Sequence, residues 1–334
     1  MKRSSAWVIF TSLVFMTWTP PARAYDVNQL IFQGLSQNGT YLDMSRTGML
    51  KDKGIKALAK SPMILKVETL LLKTHEITDD GIIALSNSRY LKKVLVLNLF
   101  DNQIGPRGTG ALSRSENFRN VTELNLWQNQ IGAEGSRALA ESRTLTRLIS
   151  LDLTANGIGP EGALAIAQSE PLKHLRILKI AANHIGNEGL IALSHSPYLR
   201  NLKVLDISGN AIDSKGIQSL EDSPWVDRLE ELKISKNQLG NEGVKILSRL
   251  AGLRNLKELN LEWNGITTDG AKFLSASPVL SNLKILHLWG NPIGDEGVQS
   301  IKESETLKNV HNPIYPFDNQ GIVNETESPG PRDL

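Results

Sequence analysis

One asparagine returns every 27 residues through most of this chain: Asn102, Asn129, Asn156, Asn183, Asn210, Asn237, Asn264 and Asn291. His75 and Thr47 hold the same slot in two looser copies, 27 and then 28 residues further back. A fixed period of this size means that one supersecondary unit is stacked on itself, each copy burying its apolar face against the next. The period therefore demands a solenoid.

The interior of each copy says what the unit is. Apolar residues alternate with polar ones at Leu124 and Leu126, or Leu232 and Ile234, and period two is the mark of a short strand with one buried face. After the asparagine come Ile131 or its equivalent, a glycine, an acid and a second glycine, as in Gly132-Ala-Glu-Gly135. Apolar residues such as Ala138 and Leu139 and an exit serine such as Ser142 follow. This second half reads as a helix with an acid in its first turn, facing the positive end of the helix dipole. Successive strands must then run parallel. Parallel strands sit about 4.8 Å apart while packed helices need about 8–10 Å, so the stack bends toward its strands by roughly 20–30° per repeat. Asparagine suits the bend because its amide can both donate to and accept from the backbone groups of neighbouring turns. The eight asparagines are expected to be buried.

The pattern Leu-x-x-Leu-x-Leu-x-x-Asn-x-Ile-Gly-x-Glu-Gly, carried over about residues 41–308, resembles leucine-rich repeats of the ribonuclease-inhibitor-like class. That class includes the Ran GTPase-activating protein, the repeat regions of intracellular immune sensors, and leucine-rich effectors of some bacteria. The resemblance implies an α/β leucine-rich-repeat horseshoe of about ten repeats, with a parallel sheet on the concave face and helices on the convex face. One fold hosts many activities, so the resemblance is specific for fold and weak for function. The chain departs from ribonuclease inhibitors in having no cysteine, and nothing in it resembles an F-box.

Met1–Ala24 reads as a secretory signal peptide: Lys2 and Arg3, an apolar stretch Ala6–Trp18, and the small-x-small site Ala22-Arg-Ala24. An uncleaved anchor is the alternative. Export to the periplasm or beyond follows, and without cysteine neither a lipid-modified thiol nor a disulfide is available. The leader carries Lys2, Arg3 and Arg23 of the chain's 37 basic residues against 35 acidic, so the mature chain is near charge −1. That balance argues against nucleic acid as a partner. Residues 25–41, with Val27, Leu30, Ile31 and Phe32, read as an N-terminal cap on a repeat domain spanning 42–308. The first repeat carries one extra residue before Gly54, so its turn should differ. In 309–334 four prolines end the pattern; Ile314, Tyr315 and Phe317 read as a C-terminal cap, and 319–334 as a flexible tail. Asn38, Asn120 and Asn324 lie in glycosylation sequons, relevant only in a eukaryotic source.

No residues combine into a catalytic centre. The acidic column of Asp80, Glu134, Glu161, Glu188, Glu242, Asp269 and Glu296 admits a metal-binding reading, but its fixed register before the glycine favours helix capping. His75, His174, His184, His195, His287 and His311 lack zinc-ligand spacing, and His75 reads as a buried substitute for asparagine. The serines near helix ends read as turn residues and the glycines as punctuation. Neither a cofactor nor a metal is expected, and the chain reads as no enzyme.

The informative positions are those the repeat leaves open on the concave face. One column carries Asn98, Asn125, Asp152, Lys179, Asp206, Lys233 and His287; the next carries Phe100, Trp127, Glu262 and Trp289. Asp101, Gln128, Lys236 and Trp263 stand beside them in the turn. Large aromatics on an open surface are what interface anchors look like, and these form two groups, Phe100 with Trp127 and Trp263 with Trp289. The bland alternative is that curvature half-buries them among their neighbours. Trp225 falls instead in the return segment, on the helix side. The leading expectation is a non-catalytic, exported binding protein gripping a macromolecule, chiefly a protein, with no membrane insertion after signal cleavage. A secreted bacterial effector acting on host signalling and a regulator resembling the Ran GTPase-activating protein are the alternatives. Carbohydrate is a further partner class that the aromatics admit.

Overall fold

The structure, a computed structural model, describes residues 26–311. The signal peptide, the Ile314–Phe317 cap, the tail and the Asn324 sequon lie outside the described residues. Ten three-residue strands form one parallel sheet in strict chain order. They are β1 (Tyr41–Asp43), β2 (Thr69–Leu71), β3 (Val96–Asn98), β4 (Glu123–Asn125) and β5 (Ser150–Asp152). The second half comprises β6 (Ile177–Lys179), β7 (Val204–Asp206), β8 (Glu231–Lys233), β9 (Glu258–Asn260) and β10 (Ile285–His287). Each pairs with the next at the repeat period, Leu124 opposite Leu151 opposite Leu178, so sequence period and sheet register are one number. A helix follows each strand, such as Gly132–Ala140 and Gly159–Ala167, and helices of successive repeats pack side by side on the convex face. The core lies between the layers. The alternating leucines are fully buried, Leu151 and Leu153 for example, as are the residues after each asparagine, such as Ile158.

The chain enters this stack through the helix Val27–Gly34, whose Asp26 carboxylate caps it by accepting from the Asn28 N–H. Ile31 is buried against the first repeat.

Two ladders of side chains bind the repeats together. Every asparagine from Asn102 to Asn291 is buried, and Asn210 shows why. Its Nδ2 donates to the carbonyls of Ile180 at 3.0 Å, Ile207 at 3.0 Å and Ser208 at 3.2 Å. Its Oδ1 accepts from the N–H groups of Asn183 at 2.9 Å and Ile185 at 3.2 Å. The turn leaves the two N–H groups and the Ile180 carbonyl without a backbone partner, and the amide supplies one, while the Ser208 and Ile207 carbonyls also accept from the Ala182 N–H and Asn237 Nδ2. The second ladder is built by the exit serines. Ser142 donates to the carbonyl of Ser113 at 2.6 Å and Ser169 to that of Ala140 at 2.6 Å, each closing the end of the preceding helix. Those serines are inter-repeat bonds rather than turn residues alone. Ser223 breaks the series: its buried hydroxyl finds no partner, while the wholly buried Trp225 donates through Nε1 to the carbonyl of Leu193 at 3.0 Å.

The acids before the second glycine sit in the first turns of their helices, Glu134, Glu161 and Glu188 among them. The extra residue of the first repeat is absorbed between Thr47 and Leu50, where Gly48 has φ of +77°, and Leu50 then takes the place that Ile77 holds in the next repeat. Thr47 keeps one of the asparagine's bonds, donating to the carbonyl three residues back, Met44, at 2.7 Å.

His75 is buried in its slot and accepts at Nδ1 from the Leu50 N–H. Burial lowers its pKa, with hydrogen bonds to Gly48 and Met44 and the Asp43 charge opposing. A histidine whose folded pKa lies below its unfolded value binds fewer protons folded, so its contribution is intact above the unfolded pKa, about 6.5, and is lost as pH falls through the folded one. His75→Asn is therefore expected to raise stability at pH 5 by more than at pH 8. A gain on the order of 1 kcal/mol remains at pH 8 from the restored amide bonds. Urea unfolding at the two pH values measures both; an equal shift at each would assign no proton linkage to His75.

Candidate concave-face interface

The left-handed turn after each strand aims the side chains of the inner face. Asp101, Gln128, Ala155, Ala182, Lys236 and Trp263 all have φ between +52° and +57°, and Gly209 and Gly290 hold the same place. Non-glycine residues adopt this region at a cost of about 1–2 kcal/mol. A tryptophan there is the least suited of the set. Trp263 is accommodated because its neighbour in the next repeat is Gly290: a Cβ on that glycine would lie 2.4 Å from the indole.

The aromatic residues gather as their columns predict. The rings of Phe100 and Trp127 lie 4.7 Å apart, tilted by 44°. Those of Trp263 and Trp289 also lie 4.7 Å apart, meeting edge to face at 85°. Trp127, Trp263 and Trp289 remain 41, 40 and 43 % exposed, so their neighbours do not seal them in. Leu95 and Ile149, also exposed, lie immediately before β3 and β5, at the edge where the chain enters the strands.

The polar column beside them is less free than its sequence pattern implies. Asn98 Oδ1 accepts from the Phe100 N–H at 3.0 Å and Asn125 Oδ1 from the Trp127 N–H at 2.9 Å. Asp206 and Asn260 hold the N–H two residues on in the same way, at 3.0 Å each. These residues therefore fix the backbone that presents the next column, and only part of each amide or carboxylate faces outward. Asp152 is a correction. Expected on the open face, it is only 8 % exposed, its carboxylate turned back to the Thr154 N–H at 3.0 Å between Asn125 and the longer Lys179 in register. Burial raises its pKa, with the Thr154 bonds and Lys179 opposing and Asp206 adding to the rise. It is a structural carboxyl.

Lys179 is half-buried between Asp152 and Asp206, and Lys236 is exposed in the turn. Gln128 donates to Asp101 at 2.7 Å, tying the two turn residues beside the first aromatic pair. Around the second pair a charged network forms. Lys233 lies 2.6 Å from Glu231 and 3.6 Å from Glu258, and His287 lies 3.8 Å from Glu258 and 3.9 Å from Glu262. Burial works against the charge on Lys233, but its bond to Glu231 and the field of Glu258 and Asp206 raise its pKa. Glu231 and Glu258 were missed from sequence. The column they occupy, one residue before the first leucine, faces the same way by the same period of two, and counting one step further back would have found them. Among the described residues no group of three histidine or carboxylate side chains is placed to hold a metal ion.

Eight stretches match the family described as Leucine Rich repeat, at residues 90–113, 119–140, 142–167, 172–194, 198–220, 229–248, 252–275 and 279–302. The chain belongs to the leucine-rich-repeat family. No curated protein matches it. Among solved structures it is similar to a leucine-rich-repeat protein of Leptospira interrogans, at 24 % identity and a TM-score of 0.46, over 75 % of this chain and 56 % of that one. It is also similar to the receptor of a TLR13–ssRNA13 complex, at 22 % identity and a TM-score of 0.42, over 75 % of this chain and 35 % of that one. A receptor described as a TDR receptor gives 22 % and 0.42, over 71 % and 37 %. The chain thus spans little more than half the length of the first of these and about a third of the others.

Proposed function

We propose that this is a non-catalytic binding protein of the ribonuclease-inhibitor-like class, exported through the segment 1–24, with the domain divisions given above. It engages a protein partner on its concave face. The observation that carries this reading is the pair of aromatic clusters standing exposed on a sheet whose other large apolar side chains are mostly buried. Rigid aromatics on a fixed backbone make good anchors because little side-chain entropy is lost when they are covered. The network of Lys233, Glu258, Glu262 and His287 beside the second cluster supplies charge-specific contacts at the rim.

Trp127→Ala and Trp289→Ala are each expected to weaken capture of the partner at least tenfold, the usual scale for a buried aromatic anchor, while the unfolding midpoint stays nearly unchanged. Affinity capture from the fluid surrounding the source cells, followed by titration of the captured protein against wild type and variants, measures this. Undiminished affinity in both variants would remove the aromatic clusters from the interface.

A further inference from the structure

The inner sheet is not the only surface the repeat organises. Along the edge where the chain enters the strands, three shallow grooves of about 340, 870 and 820 Å³ follow one another. The first two share Arg143 and Arg147, and the second and third share Arg176 and Asn201, so they form one trough. It runs from the β4 repeat to the β10 repeat, about 30 Å at the strand spacing. Nine lysines and arginines line it against four carboxylates. The whole chain, by contrast, carries a formal charge of +2. Compensating acids sit on the opposite edge, in the first helical turns at Glu161, Glu188 and Glu242. Charge is segregated across the solenoid, and a near-neutral total conceals it.

One trough carboxylate, Glu230, is spent internally. Hydrogen bonds from Lys203 and Lys257, the latter at 2.6 Å, hold its pKa down to about 2. Arg143, Arg147 and Arg176 stand exposed at the junctions of the grooves. A second asparagine column runs between the cations. Asn201, Asn255 and Asn282 donate through Nδ2 to the carbonyls of Lys173, Asp227 and Arg254, at 2.8, 2.7 and 2.8 Å, one repeat back. These three amides are thus anchored in the trough lining, and at its start Asn120 Oδ1 accepts from Arg147 at 3.1 Å.

We propose that this edge binds a linear sulfated polysaccharide. Alternating cations and amides match a chain that carries both anionic groups and hydroxyls. Single-stranded nucleic acid is normally held by a basic groove together with aromatic platforms on which the bases stack. Among the described residues no phenylalanine, tyrosine or tryptophan lines this trough. The site is separate from the concave aromatic clusters and does not depend on the protein-binding reading.

The probe is heparin, titrated against the purified protein at about physiological salt, with affinity falling steeply as salt rises. The triple variant Arg143→Gln/Arg147→Gln/Arg176→Gln is expected to lose affinity about a hundredfold, from about fivefold per cation at a polyanionic surface. Returning lysine at the three positions restores most of it. Glu161→Gln/Glu188→Gln/Glu242→Gln on the far edge and Trp127→Ala on the inner face leave it unchanged, and fully desulfated heparin does not bind. Circular dichroism checks that each variant is folded. Heparin affinity unaltered in the folded arginine variant overturns the assignment. So does tighter binding of a single-stranded oligonucleotide of matched charge, which would make the trough a nucleic-acid site.

Discussion

Asn210→Ala is expected to destabilise the protein by about 4 kcal/mol, although the substitution removes only a small polar side chain. The residue is wholly buried, and its amide is the partner of two backbone N–H groups, Asn183 and Ile185, and of the Ile180 carbonyl, while the Ile207 and Ser208 carbonyls it also reaches keep Asn237 Nδ2 and the Ala182 N–H. Each group left unpaired in a dry turn costs about 1–3 kcal/mol, and water entering the vacated space offsets part of the sum. Asn210→Asp separates the two roles of the amide. A carboxylate still accepts from Asn183 and Ile185 but faces the carbonyls of Ile180, Ile207 and Ser208 with no hydrogen to offer, so it is expected to be at least as damaging at neutral pH. Equilibrium urea unfolding measures both, with Asn201→Ala at the exposed edge as a control expected to cost under about 0.5 kcal/mol. Similar small losses for Asn210→Ala and Asn201→Ala would mean that the ladder contributes no more than an ordinary surface amide.

Trp225→Ala is expected to cost about 3–5 kcal/mol, the usual range for emptying a buried tryptophan site. Two effects add here. The indole fills space between the helical and return layers of its repeat, and its Nε1 takes the Leu193 carbonyl in a repeat where the exit serine, Ser223, bonds nothing. Trp225→Phe keeps most of the volume and loses the bond, so it should recover roughly half to two-thirds of the loss. Hydrogen exchange should show the opening concentrated in the helix Gly186–Ser194 and the segment that follows, because contacts in a solenoid extend only to neighbouring repeats. Uniform loss of protection along the chain would contradict that local account.

Much of this molecule is legible in its residues, and the reason is physical. A 27-residue period forces Leu124, Leu151 and Leu178 into register, and the structure pairs them so. The outward aim of Trp127 and Trp289 follows from alternation, since a strand has only two faces, whereas Trp263 is turned outward by the left-handed backbone of its turn. Features that depend on neighbours rather than on register stayed hidden. Asp152 occupies an open column yet is buried between Asn125 and the longer Lys179, with its carboxylate turned back to its own turn. Asn98 and Asn125 look unconstrained until their oxygens are found on the N–H groups that position Phe100 and Trp127. The basic trough escaped because its residues fall in the return segment, where the repeat looks irregular and side-chain direction has no simple alternation to follow. Net charge, the sequence quantity closest to it, averages the two edges away.

The asparagine ladder also has an arrow. Asn129 reaches back to Leu99 and Ile104, Asn183 to Leu153 and Asn156, and Asn291 to Leu261 and Asn264; none reaches forward. A further 27-residue unit could be spliced after the β10 repeat without rewriting any residue before it, since the newcomer would bring its own clasp. An insertion ahead of the first repeat would need Thr47 exchanged for asparagine to grip what now precedes it. Lengthening this protein is therefore simpler from one direction than from the other, for engineers and for gene duplication alike.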